Sequence, residues 1–391
     1  MNKEKQTILL IRNAAPRDFG GAETYPVSLA SVLTNQGLSP IIVTRSKKLL
    51  HYAHEHAIPT VRGWWWSHQN WSGKYALLLP SYIGWQIILT CWYVHLIKKT
   101  RATALHIQSK DDFIAATIAG RLTKRKTVWT DHMDLRYIFI NISRPFKNPL
   151  GKLVFHAAKL SNHIILISDN EYRLVTGHFK HQDALKKKIV IIKNGVIDRK
   201  KDYPNNQRKN GGIFSFCLAS RIITSKGIGE AIDAFTALQK LPSEANSLVP
   251  TLDIYGGGIE LEYFKKRAAN NKDIHFYGHQ DDALKKVNDS DVFMLPSYQE
   301  GFSIALLEAT MLGKAIIASD IDSNPEIIQN ERTGLLVRVR DSKSLQHAMH
   351  LLLTDAHLRH SLEIAARKNF VENFNLETIA ITKIIPLYTS G

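Results

Sequence analysis

Two glutamates eight residues apart, Glu300 and Glu308, have a spacing that would let them hold two ends of one ligand. They bound the run Glu-Gly-Phe-Ser-Ile-Ala-Leu-Leu-Glu, in which Ser303 is suited to cap a helix. With that cap, Glu300 precedes the helix beside unpaired backbone N–H groups, and Glu308 lies more than one turn inside. Backbone amides and a helix dipole favour an anion, and carboxylates accept hydrogen bonds from hydroxyl groups. The pattern predicts a phosphate flanked by two polyols, the form of a nucleotide sugar, although two glutamates on a solvated helix edge would have the same spacing.

A second loop supplies positive charge. Arg221 and Lys226, the latter followed by Gly227, come after the predicted strand Ile213–Ala219 and before a predicted helix. Two cations at the N-terminus of a helix can clamp a diphosphate, because arginine offers a planar fork of donors and lysine a point charge. The same spacing also occurs on ordinary surfaces. The position of this loop after a predicted strand is what favours the phosphate-binding interpretation.

A glycine pair, Gly20 and Gly21, follows the first predicted strand and opens a helix expected to run to about Gln36, with Gly37 as its C-cap. Glycines let the backbone approach a ligand closely, and the N-terminus of a helix favours phosphate. The pair is otherwise a simple turn, and it is not the G-x-G-x-x-G dinucleotide fingerprint.

These loops need strands to position them, and short apolar runs alternate with amphipathic stretches along nearly all of the 391 residues. Such alternation predicts α/β architecture with parallel, doubly wound sheets, and the length suits two domains. We expect domains at 1–196 and 197–375, a polar linker at 199–212, and a final helix, 376–391, that crosses back to the first domain. The predicted strands are Thr7–Arg12, Pro40–Thr44, Ala104–Gln108, Thr127–Thr130, His163–Ile167, Ile189–Ile192, Ile213–Ala219, Thr251–Tyr255, Ile274–Tyr277, Val292–Leu295, Ala315–Ala318 and Gly334–Val337.

Charge is divided unevenly between the halves. Residues 1–200 contain 30 Lys and Arg against 12 Asp and Glu, a net of +18, and the remainder contains 21 against 23, a net of −2. This asymmetry predicts that the first half meets a polyanion, either an anionic membrane leaflet or nucleic acid, unless it serves solubility alone. The two cysteines, Cys91 and Cys217, lie in apolar sequence and match no disulfide or metal pattern, so we expect a cytoplasmic protein.

An uncharged segment, Tyr75–Ile97, is long enough to span a bilayer, but polar residues and Pro80 interrupt it. We predict instead a helix that is either buried or rests on a membrane interface through Trp85, Trp92 and Tyr93. Upstream, three consecutive tryptophans begin at Trp64. They cannot all face one core, so at least one ring should be exposed or cover a ligand.

At these motifs the chain resembles the retaining glycosyltransferases of family 4, through E-x7-E at Glu300 and Glu308 and R…K-G at Arg221 and Lys226. The resemblance implies a GT-B fold, two Rossmann-like domains facing a central cleft. It implies an N-terminal acceptor-side domain and a C-terminal domain that binds the nucleotide sugar. In the family, a histidine of a T-x-H-D motif lies near the reacting centre, which suggests His132; here Met133 replaces the acid.

The resemblance also implies the roles of individual residues. Catalytic roles fall to His132, Arg221, Lys226 and Glu300, with Glu300 on sugar hydroxyls and Glu308 on the ribose. The expected donor-binding residues are Gly20, Gly21, Arg221, Lys226, Gly278, His279, Glu300, Gly301, Phe302, Ser303 and Glu308. No metal or cofactor is expected, because the cations and helix N-termini can offset the phosphate charge. Asp289-Ser-Asp291 has a D-x-D form but precedes a buried strand and is expected to be a turn.

By resemblance, the reaction is hexosyl transfer from a UDP- or GDP-linked sugar, with retention, to a glycan or lipid-linked acceptor in cell-envelope polysaccharide or lipopolysaccharide synthesis. The basic, tryptophan-containing first half favours an acceptor at the inner membrane face and a peripheral location there. Two alternatives remain. A nucleotide-sugar 2-epimerase shares the GT-B fold. A nucleic-acid-binding protein would explain the charge, but the sequence lacks a recognition motif, and we expect no nucleic-acid partner.

Overall fold

The protein forms two compact units, residues 1–194 with 376–391, and residues 195–375. The structure is a computed structural model. It describes residues 6–13, 21–65, 79–130, 149–177, 183–204, 212–242 and 248–389. Gly20 and His132 lie outside these residues, so the predictions made for them stay predictions.

The first unit is built on a parallel sheet with the strand order β3-β2-β1-β4-β5-β6-β7. Six of its seven strands were predicted. The sequence prediction missed β3, a three-residue edge strand with no buried residue. The strands are β1 (Thr7–Ile11), β2 (Ser39–Thr44), β3 (Thr60–Arg62), β4 (Ala102–Ile107), β5 (Lys126–Thr130), β6 (His163–Leu166) and β7 (Ile189–Ile191).

Helices form the crossovers that connect parallel strands of one sheet. The first, α1, begins at Gly21 and ends at Asn35, and Gly37 follows with a φ of 78°, which confirms the predicted glycine stop. The helices of this unit are α1 (Gly21–Asn35), α2 (Lys47–Glu55), α3 (Leu79–Thr100), α4 (Phe113–Leu122), α5 (Pro149–Leu160), α6 (Asp169–Gly177) and α7 (Asp183–Lys186).

The second unit has a six-stranded parallel sheet with the order β10-β9-β8-β11-β12-β13. All six strands were predicted. Every residue of β11 and β12 is buried, as expected where helices cover both faces of a parallel sheet. The strands are β8 (Ile213–Ala219), β9 (Val249–Tyr255), β10 (Ile274–Gly278), β11 (Val292–Leu295), β12 (Ala315–Ser319) and β13 (Leu335–Val337).

The helices of the second unit begin with side-chain caps at several points. Ser303, Asp341 and Asp355 each accept a hydrogen bond from the backbone N–H three residues later. The helices are α8 (Ile228–Leu238), α9 (Leu261–Ala268), α10 (Ala283–Asp289), α11 (Ile304–Leu312), α12 (Asn324–Ile327), α13 (Ser342–Thr354) and α14 (Ala356–Asn373).

The C-terminal segment belongs to the first unit, although the second unit precedes it in the chain. It consists of α15 (Leu376–Ile379), a π-helical turn (Ala380–Ile384) and α16 (Ile385–Thr389). The Tyr388 hydroxyl lies 2.7 Å from Nδ1 of the buried His106 on β4, and Nε2 of the same ring lies 2.8 Å from the Thr130 hydroxyl. This contact fixes the chain end against the first sheet.

The prediction of a polar linker at 199–212 was wrong for its first part. Residues 199–204 pack on the second unit, since the buried Tyr203 donates a hydrogen bond to Asp282 and Lys200 donates one to Asn288. Both cysteines lie in apolar sequence, but Cys91 is exposed whereas Cys217 is buried. Sequence composition could not reveal which side of the helix would face inward.

The tryptophan prediction is confirmed for the first two rings. Trp65 is buried and packs edge-on against Trp92 and Tyr93, at centroid distances of 4.9 and 5.7 Å. Trp64 is 52% exposed. Within the described ranges, none of the helices has the combined length and apolar character that a membrane-spanning segment needs.

Candidate active site

The loops that follow β8 and β11 are packed together at the carboxyl edge of the second sheet. The backbone N–H of Tyr298, after β11, donates to the carbonyl of Ser225, after β8, at 2.8 Å. Between them, Gly227 has a φ of 70°, and a Cβ at this position would lie 2.0 Å from the carbonyl oxygen of Pro296. Only glycine permits this approach. The loop containing Arg221 and Lys226 is therefore held against the loop containing Glu300.

Lys226 and Glu300 meet directly in this packed region. Lys226 Nζ donates to Glu300 Oε1 at 2.6 Å, and the two side chains are 16% and 11% exposed. A pair so enclosed is screened less by salt than a surface pair. Glu300 is held further by its backbone N–H, which donates to Asp322 Oδ2 at 3.2 Å. Two predicted catalytic residues thus form an ion pair.

The predicted cap on α11 is confirmed. Ser303 Oγ accepts a hydrogen bond from Leu306 N at 3.3 Å, so α11 begins directly after Gly301, Phe302 and Ser303. Phe302 and Ser303 are buried, while Gly301 is exposed. The N-terminus of α11 therefore lies beside Glu300, where its unpaired amides and dipole favour an anion.

Glu308 lies one and a half turns inside α11 and is half-buried. Burial raises the pKa of Glu308 to about 7, and the positive charge of Arg199 opposes this shift. Sequence reasoning assigned Arg199 to the linker and missed it as a neighbour of Glu308. A carboxyl group with this pKa can accept or donate a hydrogen bond near neutral pH.

The loop after β9 also contacts the loop after β8. Added Cβ atoms at Gly256 and Gly258 would lie 1.8 Å from the Ser220 carbonyl oxygen and 2.2 Å from that of Ile222. Glu260, which follows, accepts hydrogen bonds from the backbone N–H and the hydroxyl of Thr224. Arg221 is exposed in the loop that these contacts fix.

Gly278 and His279 lie at the end of β10, next to the same glycine loop. The Gly256 N–H donates to the Gly278 carbonyl at 2.7 Å, and Gly278 has a φ of 69°. His279 is exposed. Before them, the exposed Tyr277 ring stacks on Tyr255, with centroids 4.8 Å apart and planes 13° apart. The structure therefore adds a flat aromatic surface that the motifs did not indicate.

A second carboxylate contact underlies the loop after β11. The Tyr298 hydroxyl donates to Glu230 Oε1 at 2.6 Å, and burial, with this hydrogen bond, raises the pKa of Tyr298 to about 12. The Arg340 guanidinium lies 4.5 Å above the Tyr298 ring. These contacts fix the loop two residues before Glu300, and no motif indicated them.

The first unit has buried charges at the carboxyl edge of its sheet. Asp112 accepts hydrogen bonds from Asn13 Nδ2 at 2.6 Å and from the Tyr93 hydroxyl at 2.8 Å, and Arg45 pairs with Asp111 at 3.0 Å. Burial, with the charge of Asp111 next, raises the pKa of Asp112 to about 7. Sequence reasoning missed this cluster. Its one signal was that both aspartates follow a predicted strand.

Gly21 opens α1 in the first unit, and the role predicted for it stays a prediction. Asp291, of the D-x-D-like run, accepts hydrogen bonds from the Ser215 backbone N–H and hydroxyl at 2.9 and 3.3 Å, which confirms a structural role at this turn. No group of three or more potential metal ligands occurs among the described residues.

Comparisons with known proteins agree with the two-unit architecture. Residues 19–200 match the family described as Glycosyltransferase Family 4, and residues 199–369 match Glycosyl transferases group 1. A glycosyltransferase structure from Rickettsia africae superimposes with a TM-score of 0.77 at 19% identity, covering 100% of each chain. This likeness confirms the predicted GT-B fold.

Two curated relatives act, by their names, on lipid-linked sugars. One is N,N'-diacetylbacillosaminyl-diphospho-undecaprenol alpha-1,3-N-acetylgalactosaminyltransferase of Campylobacter jejuni, 30% identical over 63% of this chain and 65% of the relative, just under two thirds of its length. The other is UDP-Gal:alpha-D-GlcNAc-diphosphoundecaprenol alpha-1,3-galactosyltransferase of Escherichia coli, 26% identical over 75% of this chain and 76% of the relative. Each half of the chain thus matches one family of glycosyltransferase domains.

Proposed function

We propose that the protein transfers a hexosyl group from a nucleotide diphosphate sugar, UDP- or GDP-linked, to a glycan or lipid-linked acceptor in cell-envelope polysaccharide or lipopolysaccharide synthesis. The observation that supports this most directly is the contact of Lys226 with Glu300 beside the N-terminus of α11. It joins a cation for phosphate, a carboxylate for sugar hydroxyls and a helix terminus for an anion. The lipid-diphosphate acceptors in the names of the two relatives support the acceptor class.

In the proposed reaction, the bond between the anomeric carbon and the donor phosphate oxygen breaks, and a bond from that carbon to an acceptor oxygen forms on the same face. The acceptor proton passes to the departing phosphate. Because the new bond forms on the face that the phosphate leaves, configuration is retained. Lys226 and the exposed Arg221 stabilise the negative charge that develops on the diphosphate. These two cations provide the charge that a divalent ion would otherwise supply, and we propose that transfer is independent of metal.

Donor recognition is proposed to use both glutamates. Glu300, held by Lys226 and the Asp322 contact, accepts hydrogen bonds from sugar hydroxyls, and Glu308 contacts the ribose. Gly278 and His279 approach the base, and Gly301, Phe302 and Ser303 present backbone N–H groups to the phosphates. We further propose that His132, Gly20 and Gly21 of the first unit act on the reacting sugar and on the diphosphate.

The first test is Lys226→Ala, with Lys265→Ala as the control because Lys265 also contacts a glutamate, Glu262, but at an exposed site. We expect UDP or GDP to raise the melting temperature of the control as in the wild type. We expect the transfer rate to a polyprenyl-diphosphate sugar to fall about 100- to 1000-fold in Lys226→Ala, as when one charge-stabilising donor is removed. Chelator should leave the wild-type rate unchanged.

An unchanged rate in Lys226→Ala would contradict the proposed role of this side chain. Conversion of the donor without any acceptor would support the epimerase instead. Failure of every nucleotide to shift the melting temperature would contradict the donor site as a whole.

A further inference from the structure

Helix α3 of the first unit has an apolar face that points outward. The helix contains 22 residues and no aspartate or glutamate. Its inner face, with Tyr82, Leu89 and Tyr93, packs into the core. On the opposite side, Ile83, Ile87 and Ile88 are 42%, 58% and 54% exposed, and Cys91 continues this row one turn later. A helix in contact with water alone would have polar residues here.

The exposed Trp64 extends this apolar face. Its ring stands edge-on to Trp85 of α3, with centroids 5.5 Å apart and planes 80° apart. The neighbouring Trp65 is buried among the aromatic residues of α3, which fixes the segment that presents Trp64. An indole held at the edge of an apolar surface is typical of groups at a membrane–water interface.

The same helix ends in positive charge. Lys98 and Lys99 occupy its last turn and are exposed, and neither is paired with a carboxylate among the described residues. A rise of about 1.5 Å per residue places Lys98 about 22 Å along the axis from Ile83. The outward side of α3 is thus apolar at one end and basic at the other, in a half of the chain with a net charge of +18 (30 basic against 12 acidic residues).

We infer that the outer face of α3, defined by Ile83, Ile87, Ile88 and Trp64 together with Lys98 and Lys99, docks on an anionic membrane leaflet. This inference deepens the proposed function and depends on it for the location of a lipid-linked acceptor. The isoleucines enter the boundary between headgroups and acyl chains, Trp64 lies at headgroup level, and the lysines meet anionic lipid. A second copy of the chain fits less well, because it would bring two basic surfaces together.

The test is flotation of the full chain with vesicles of equal parts phosphatidylcholine and phosphatidylglycerol. The double variant Ile87→Ser/Ile88→Ser should reduce the partition coefficient at least about tenfold, since two large apolar side chains are lost from the contact. Ile364→Ser is the matched control, because Ile364 on α14 is also 58% exposed but belongs to the second unit. It should float as the wild type does.

Charge is tested separately with Lys98→Gln/Lys99→Gln, which should weaken binding about tenfold to thirtyfold at low salt. The matched control is Lys265→Gln/Lys266→Gln, an adjacent exposed pair in the last turn of α9. Vesicles of phosphatidylcholine alone should bind the wild type weakly, and added salt should reduce binding to the anionic vesicles.

Equal flotation of Ile87→Ser/Ile88→Ser and the wild type would overturn the inference. A dimer in lipid-free sedimentation that this variant abolishes would also overturn it, in favour of a second copy. Melting temperature and its shift by UDP, measured on each variant, separate the two proposals. Normal nucleotide shifts with undiminished flotation contradict only the docking face, whereas vesicle binding that depends on Ile87 and Ile88, without any nucleotide shift, contradicts only the proposed transferase.

Discussion

The charged side chains at the carboxyl edges of the two sheets have different surroundings. In the second unit, Lys226 and Glu300 lie in loops that glycines allow to touch, next to an open helix N-terminus. In the first unit, Asp112 is fully buried and bonded to Asn13 and Tyr93. In the proposed function, the edge of the second sheet presents charge to a ligand, whereas the edge of the first sheet uses charge to hold its own strands and helices together.

From this difference we infer that the two units recognise different partners, the second unit through polar contacts and the first through an outer surface. Under the proposed function, the second unit binds an anion at a prepared site, since its cation and amides are already positioned. In the first unit the Asp112 cluster is buried, and by our inference the apolar row and lysines of α3 meet the larger partner. Each prediction below alters one side of this comparison.

The largest effect is expected for Gly227→Ala, which would push a Cβ to within 2.0 Å of the Pro296 carbonyl at a φ of 70°. Strain and the forced separation of the two loops should cost about 3 kcal/mol of stability. Scanning calorimetry should show a lower melting temperature, and nucleotide binding should weaken. Gly257→Ala is the control, because nothing lies within 4 Å of its added Cβ and its φ is not positive. A stability equal to that of the wild type would show that the loops tolerate separation.

Asp112→Asn tests the buried cluster of the first unit through pH. The folded pKa of Asp112, about 7, lies above the value of about 3.9 expected in the unfolded chain, so the folded state binds the proton more tightly. Wild-type stability should therefore fall as pH rises from about 4 to 7, by up to about 1.4 kcal/mol per pH unit. The variant cannot ionise at this position.

The measurement is the difference in unfolding free energy between the variant and the wild type at pH 5 and pH 7. Relative to the wild type, the variant should be more stable at pH 7 than at pH 5. Because other ionisable groups are common to both proteins, they cancel. A difference independent of pH would mean that Asp112 keeps an ordinary carboxylate pKa despite its burial.

The smallest effect is expected for Glu308→Gln. With a pKa of about 7 in the free protein, Glu308 becomes ionised between pH 6 and pH 8. If its carboxylate accepts hydrogen bonds from the ribose, UDP should bind up to about tenfold more tightly at pH 8 than at pH 6. Calorimetric titration of Glu308→Gln should give an affinity that changes less with pH. The same slope in both proteins would assign the pH dependence to another group.

Local patterns were sufficient to predict the strands and the cap at Ser303. Twelve of the thirteen described strands follow from short apolar runs, and the cap follows from one serine before a helical pattern. Both depend on residues close in sequence. The edge strand β3 was missed because its three residues form no such run.

The contacts that define the candidate site depend on residues far apart in sequence. Lys226 and Glu300 are 74 positions apart, and nothing near either residue specifies the other. Adjacent aspartates 111 and 112 would usually be exposed, and distant partners such as Arg45, Asn13 and Tyr93 help to explain their burial. For α3, an apolar sequence on all sides could not indicate which isoleucines would remain outside.

The return of residues 376–389 to the first unit has a consequence for synthesis of the chain. The second unit, 195–375, is continuous and can fold as soon as it leaves the ribosome. The first unit begins earlier in the sequence but lacks the Tyr388 partner of its buried His106 until all of the second unit has been made. The strands of the first unit are therefore synthesised before the second unit and completed after it, and a stop between Asn375 and Tyr388 would leave the first sheet with an unfilled site.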